Sequence, residues 1–279
     1  METKNSRRGP VAAGAAGVML LVFTLVTAAH ADPLQDQLNA LSTAGGGVFT
    51  LPAGMIMRST TLDLPINVSL RGAGQGVTWM VPTDTFAGAS LIDTSEGPVG
   101  VVRVSDLTID ARGFSLIGIW FQNVSTGSSI ERVSLRNTGR SGIVIGSTAG
   151  RAHGVRVTHN TFTSCGDPTL PYDKSAISII NSVDFIVAEN IIQDSAWGVT
   201  AEINPQTTEL LINGLIINNL IRSSVIALPY WGIAILGQPD RPAQHIGVRG
   251  NQLYGAPGLP QPFLIEHGLN VDVRDNSVF

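Results

Sequence analysis

Val155-Arg156-Val157-Thr158-His159-Asn160-Thr161-Phe162 and Phe185-Ile186-Val187-Ala188-Glu189-Asn190-Ile191-Ile192 are the stretches on which the fold turns. In both, apolar and polar residues alternate, and an Asn stands five positions after the first apolar residue. Alternation of this kind marks strands. The frame recurs with Asn219, Asn251 and Asn276, and upstream with Leu107 and Val133 in the Asn position. Successive steps from 107 to 276 are 26, 27, 30, 29, 32 and 25 residues. Self-similarity at such a period belongs to stacked architectures, in which each repeat buries its apolar side against the next.

Composition agrees with an all-β chain. Gly is abundant at 31 residues and aromatics are few at 6%, which suits many turns and short strands. Residues 1–31 have the layout of an export signal. Lys4, Arg7 and Arg8 precede an apolar run from Val11 to Val26, and Ala29-His30-Ala31 offers a small-x-small cleavage site before Asp32. Ser6-Arg7-Arg8 hints at twin-arginine export, although Gly9-Pro10 lacks that signal's apolar continuation. An uncleaved anchor is the competing reading. Without residues 1–31 the chain carries 14 Lys+Arg against 20 Asp+Glu, so no basic surface is left for nucleic acid. Cys165 stands alone, which excludes a disulfide framework and a thiolate zinc site. The expected location is secreted, periplasmic or cell-envelope, with no membrane contact after cleavage.

Asp32-Pro33 reads as an N-cap followed by Pro at the first helical position. Leu34, Leu38 and Leu41 form one apolar stripe on a short helix ended by Gly45-Gly46-Gly47, a lid for an open stack over residues 32–44. Residues 45–100 then give short strands separated by Gly and Pro turns. The elements Gly-Gly-Gly, Leu51-Pro52-Ala53-Gly54 and Leu70-Arg71-Gly72-Ala73-Gly74 resemble, in content and order, the N-terminal coil of the pectate-lyase-like superfamily. The resemblance implies a single-stranded right-handed parallel β-helix of about eight to nine coils over 32–279. It does not define a reaction, because lyases, hydrolases, epimerases and non-enzymes share that fold. The Gly72–Gly76 run is not a nucleotide loop, since strand-like Val77-Thr78-Trp79-Met80 stands where the phosphate-binding helix would begin.

From residue 101 each repeat splits into two strand-bearing parts. One holds the Asn frame; the other opens on a small residue, as at Gly118, Gly142, Ala176, Gly198 and Gly232. The resemblance implies that the Asn residues fill a tight turn, side chains inward and bonded to their copies, and that the small-residue strand is the face where the superfamily keeps its active site. Between the Asn position and the small residue the chain varies: 11, 9, 16, 8 and 13 residues. Insertions collect at one edge, often the binding edge.

With Ile119, Ile143, Ile177, Val199, Ile233 and Phe263 inward, Trp120, Val144, Ser178, Thr200, Ala234 and Leu264 face outward. Glu202 and Glu266 are then the only carboxylates expected on this face, two coils or about 9.5 Å apart. That overlaps the separation of an inverting glycosidase, about 6.5–9.5 Å. The longest insertion, residues 163–175, carries Tyr172, Asp173 and Lys174, the only lysine after residue 31. β-Elimination of a uronate needs a base near C5 and a cation at the carboxylate. Lys174, Tyr172 and Glu202 can serve the chemistry, and Arg140, in the preceding turn, the carboxylate. Asp173, Trp120, Trp197, Tyr230, Trp231 and Glu266 are the expected sugar contacts, aromatic faces suiting apolar ring faces.

The Asp167-Pro168 to Ser175 run is faintly similar to a loop of alginate C5-epimerases, but Thr169 stands where that family has His. The motifs of polygalacturonases are absent. No His spacing suits zinc; Asp167 and Asp173 offer the only expected calcium ligands, few for a stable site. The sequence therefore leads to a carbohydrate-active protein for an acidic polysaccharide, by lyase chemistry first. Non-catalytic glycan binding and hydrolysis through Glu202 and Glu266 are the alternatives. The last coil shows no cap, which is the sequence argument for self-association.

Overall fold

The computed structural model describes residues 32–94, 100–147, 151–170, 174–225 and 230–279. The export-signal reading of 1–31, and the site expectations for Tyr172 and Asp173, lie outside them. The chain is an all-β, right-handed parallel β-helix with one short helix at its start. That helix, Pro33–Thr43, buries Leu38 and packs Leu34 and Leu41 on the core. Gly46 and Gly47 stop it: both have positive φ, and a Cβ on Gly46 would fall 2.3 Å from the Asn67 carbonyl oxygen. No described helix is long and apolar enough to cross a membrane.

The strands stack in three faces. The first runs from Asp63 and Asp93 through Ile117–Phe121, Ile143–Ile145, Ser175–Ile180, Trp197–Glu202, Tyr230–Leu236 and Gln261–Glu266. The second begins with Gly47–Thr50 and Val68–Arg71 and ends with Asp272–Arg274. Thr161–Thr163, Ile191–Gln193, Leu220–Ser223 and Gln252–Gly255 belong to the third. Every rung-to-rung pairing between named strands is parallel and in register apart from shifts near Arg58–Leu62 and Tyr230–Ile233. Two early strands are longer than the turn residues suggest. Gly54–Asp63 and Thr78–Asp93 each continue around the corner from the third face to the first.

A continuous apolar core fills the stack, including Leu70, Val104, Ile130, Val157, Val187, Ile216 and Val248. Beside it runs the Asn ladder. The Nδ2 of Asn160 donates to Asn190 Oδ1 at 3.0 Å; Asn190 does the same to Asn219, Asn219 to Asn251, and Asn251 to Asn276, each at 2.9 Å. Each of these Oδ1 atoms also accepts the backbone N–H of the Asn one coil earlier. The second Nδ2 hydrogen reaches back to a carbonyl, Ile130 for Asn160 and Val157 for Asn190. Asn160 Oδ1 caps the run by accepting Val133 N–H at 2.9 Å. Residues just before the Asn position, among them Asp106, Arg132, His159, Glu189 and Asn218, have φ of 52–59°. The turn is a repeated left-handed kink, and the amide ladder satisfies the backbone groups it would otherwise bury unpaired.

Small residues opening the first-face strands have a steric origin. A Cβ would sit 2.5 Å from the Gly142 oxygen at Gly118, 2.4 Å from the Gly232 oxygen at Gly198, and 2.1 Å from the Pro262 oxygen at Gly232. Here successive coils approach through their backbones.

Candidate functional site on the first face

Three side chains enter the first face from the variable turns of consecutive coils. Lys174 precedes strand Ser175–Ile180, and Trp197 and Tyr230 open the next two strands. They form a stack: the Lys174 Nζ lies 4.0 Å from the centre of the Trp197 ring, and the Trp197 and Tyr230 ring centres are 4.0 Å apart. A cation over indole is favourable electrostatically. Burial lowers the pKa of the Lys174 ammonium below the usual lysine value.

Tyr230 is 1% exposed, and its hydroxyl is buried without a hydrogen-bond partner among the described residues. Burial, and then the carboxylates of Glu202 and Glu266, push its pKa far above that of a free phenol, so the proton stays on oxygen. Tyr230 reaches this position through a register shift: it pairs with Gln261 while Ile233 pairs with Phe263, one extra residue on the Tyr230 strand.

Glu202, Leu236 and Glu266 occupy one column, so the two glutamates are two rungs apart, about 9.6 Å at roughly 4.8 Å per rung. Glu202 is half-buried and Glu266 exposed. The Lys174–Trp197–Tyr230 stack stands at the starts of these strands and the two glutamates at their ends, about 16 Å further along at roughly 3.3 Å per residue.

Other expected residues fall elsewhere. Trp231 is a correction: it points inward, 3% exposed, within the core cluster, because strand alternation sends it opposite to Tyr230. Arg140 is half-buried in the turn before Ile143–Ile145, where its carbonyl accepts Gly166 N–H. Trp120 lies on the first face but three rungs before Thr200, its indole N–H held by the Gly146 carbonyl at 2.9 Å. Val144, Ser178, Thr200 and Ala234 face away from the core as the alternation requires, yet each is at most 2% exposed. The edge that meets solvent is set by Trp197, Glu202 and Glu266 instead.

A second correction concerns the acids. Asp63 and Asp93 also belong to the first face, paired in register with each other, and Asp93 with Trp120. They escape the repeat reading because the frame becomes regular only after residue 100. As for metals, no three His, Cys, Asp or Glu side chains converge among the described residues. Asp167 is occupied by its own loop, accepting Thr169 N and Oγ1 at 2.8 and 2.7 Å.

No family model and no curated protein matches this sequence. Solved structures do. The tailspike protein of E. coli bacteriophage HK620, in complex with a pentasaccharide, is similar with a TM-score of 0.62 and 13% identity, over 88% of this chain and 52% of that one. Geobacillus virus E2 ORF18 gives 0.57 and 12%, over 88% and 58%. The tailspike gp49 of Acinetobacter baumannii bacteriophage Fri1, a capsular polysaccharide depolymerase, gives 0.54 and 13%, also over 88% and 58%. The chain therefore spans a little over half the length of these proteins. At such identities the likeness defines the fold, the parallel β-helix that tailspikes build.

Proposed function

We propose that this protein is exported and acts on an extracellular acidic polysaccharide along its first face. The observation that carries the reading is the Glu202–Glu266 column, whose charges are felt by a buried Tyr230 hydroxyl with no hydrogen-bond partner among the described residues. An orphaned buried donor is costly, and native proteins keep such groups where a ligand or reaction uses them. The fold neighbours include a tailspike solved with a pentasaccharide and a capsular polysaccharide depolymerase, which supports the substrate class.

Two carboxylates at this spacing favour hydrolysis with inversion. One carboxyl protonates the leaving oxygen, and the other activates water on the opposite side of the sugar. Tyr230, enclosed beneath Trp197, donates its hydrogen bond to the sugar once that indole shifts, and the rim of Trp197 packs against the ring. Lys174 and Arg140 supply positive charge for the acidic groups of the polymer.

The lowered pKa of Lys174 favours a second chemistry, β-elimination, with Lys174 as base and Arg140 on the uronate carboxylate, while Glu202, at the far end of the next strand, would meet another part of the polymer. As Lys174 is only 7% exposed, this route requires Trp197 to swing aside. Incubation with acidic polysaccharides separates the readings. Hydrolysis releases reducing ends alone, whereas elimination adds absorbance at about 235 nm from the unsaturated uronate. Binding without either product assigns a glycan-binding protein, and no binding to any polysaccharide overturns the proposal.

A further inference from the structure

We propose that the third face carries a second binding site, for a uronic acid residue, in the depression lined by Arg222 and Asp194. The site takes its ligand class from the reading of the first face but shares none of its residues. The depression holds about 440 Å³, within the range of small-molecule sites, about 300–1,000 Å³. Gln193, Arg222 and Tyr254 line it as register partners on three consecutive rungs, a run of about 9.6 Å at roughly 4.8 Å per rung. Asp194 and Ser224 line it from the turns that follow their strands.

Arg222 is exposed, and its guanidinium has no carboxylate partner among the described residues. It lies over the Tyr254 ring, 5.3 Å from the ring centre, and Tyr254 is in turn stacked on Phe279 at 4.6 Å. An aromatic face holds a guanidinium in place without using the N–H groups in the guanidinium plane. Those groups form the fork that a carboxylate fits with two parallel hydrogen bonds.

Asp194 offers the complementary group. Its Oδ1 accepts Ser224 N–H at 3.1 Å and Ser224 Oγ at 2.9 Å. The Ser224 hydroxyl first, and then its N–H, hold the carboxyl below the usual aspartate range, so it is ionised at neutral pH. Asp194 Oδ2 receives only the Gln193 amide, at 3.4 Å, among the described residues and keeps capacity for a ligand's donors. Arg222 is not among the groups that act on Asp194, so the cation and the carboxylate of the depression do not neutralise each other. A bare anion would satisfy Arg222 and be repelled by Asp194. A uronic acid satisfies both, with its carboxylate at Arg222, its hydroxyls at Asp194 and its C–H edges along Tyr254.

Arginine side-chain NMR tests this on the full chain. The Nε–H resonance of Arg222 is assigned by its loss in Arg222→Gln, or in Arg222→Lys should the first variant not fold. The probes are tetramers of galacturonate, mannuronate and glucuronate, with a neutral glucose tetramer, glutamate and inorganic phosphate as controls. At least one uronate tetramer is expected to shift the Arg222 resonance at or below about 10 mM, with no shift from the controls. Asp194→Asn should weaken that titration by about tenfold, as expected for a hydrogen bond to a charged group. The first face is followed separately through Trp197 fluorescence, which Arg222→Gln should leave unchanged. An Arg222 resonance that no uronate moves overturns the site, and a Trp197 response in the same titration would leave the first-face reading standing. An equal shift with phosphate reduces it to a general anion contact, and one with glutamate assigns it to α-amino acids; either result overturns the proposal.

Discussion

Tyr230 is where stability and function are expected to pull apart. Its hydroxyl is enclosed, unpartnered and close enough to Glu202 and Glu266 for both to hold its proton in place. Leaving a buried polar group unsatisfied costs about 1–3 kcal/mol. Tyr230→Phe should therefore stabilise the protein by about 1 kcal/mol in urea unfolding. The same change should lower kcat/KM on the cleaved polysaccharide by at least about tenfold, the worth of one hydrogen bond made to the reacting sugar. A variant that loses stability and keeps its activity would return Tyr230 to a packing role. Lys174 is similarly legible only in part. The sequence marks it as the lone lysine after residue 31 on the longest insertion, but not that it lies under an indole.

At the scale of the strand and turn, the Asn ladder makes a comparative prediction. Removing the Asn190 amide strands Asn160 N–H, one Asn160 Nδ2 hydrogen and the Val157 carbonyl, and takes from Asn219 Oδ1 one of its two donors. Removing the Asn160 amide strands fewer groups, the Val133 N–H and the Ile130 carbonyl, because the coil before it has Val133 in the same position and no amide to lose a partner. Asn190→Ala should destabilise by about 3–5 kcal/mol and Asn160→Ala by less, compared by chemical denaturation. Gly198→Ala should also destabilise, by about 2 kcal/mol or more, since its Cβ would meet the Gly232 oxygen at 2.4 Å. These elements could be read from sequence because each repeats: alternation, amide and small residue all return once per coil. The inward turn of Trp231 could not, because it comes with an irregular register in its strand that no repeat announces. Asp63 and Asp93 were hidden for the complementary reason: their strands turn a corner in irregular register before the repeat becomes uniform.

For the whole molecule, the balance of charges predicts loss of stability in acid. Asp106 is lowered by its hydrogen bond to Arg132, and Asp194 by that to Ser224; Asp110 is lowered despite burial by Asn137, Arg112 and Arg136. A depressed folded pKa contributes stability that is present above the unfolded value of 3.8 and disappears as pH falls through the folded one. Asp93, raised by burial, acts in the opposite sense and gains on protonation. With four described acids depressed, Asp167 in its own loop included, against one raised, the Tm followed by circular dichroism should fall as the pH is taken from about 5 to 3. A flat profile would mean that these surface pairs are screened to insignificance. The stack gives the molecule its rigidity, and its variable edge gathers the groups suited to chemistry. Trp197 at that edge and Trp79, which stacks under Arg136 on the third face, provide internal reporters of where a glycan lies. The most direct test titrates an acidic polysaccharide that the protein binds against Trp197→Phe and Trp79→Phe, following tryptophan fluorescence. The first-face site predicts that the ligand-induced change disappears in Trp197→Phe and persists in Trp79→Phe; the reverse pattern would contradict it.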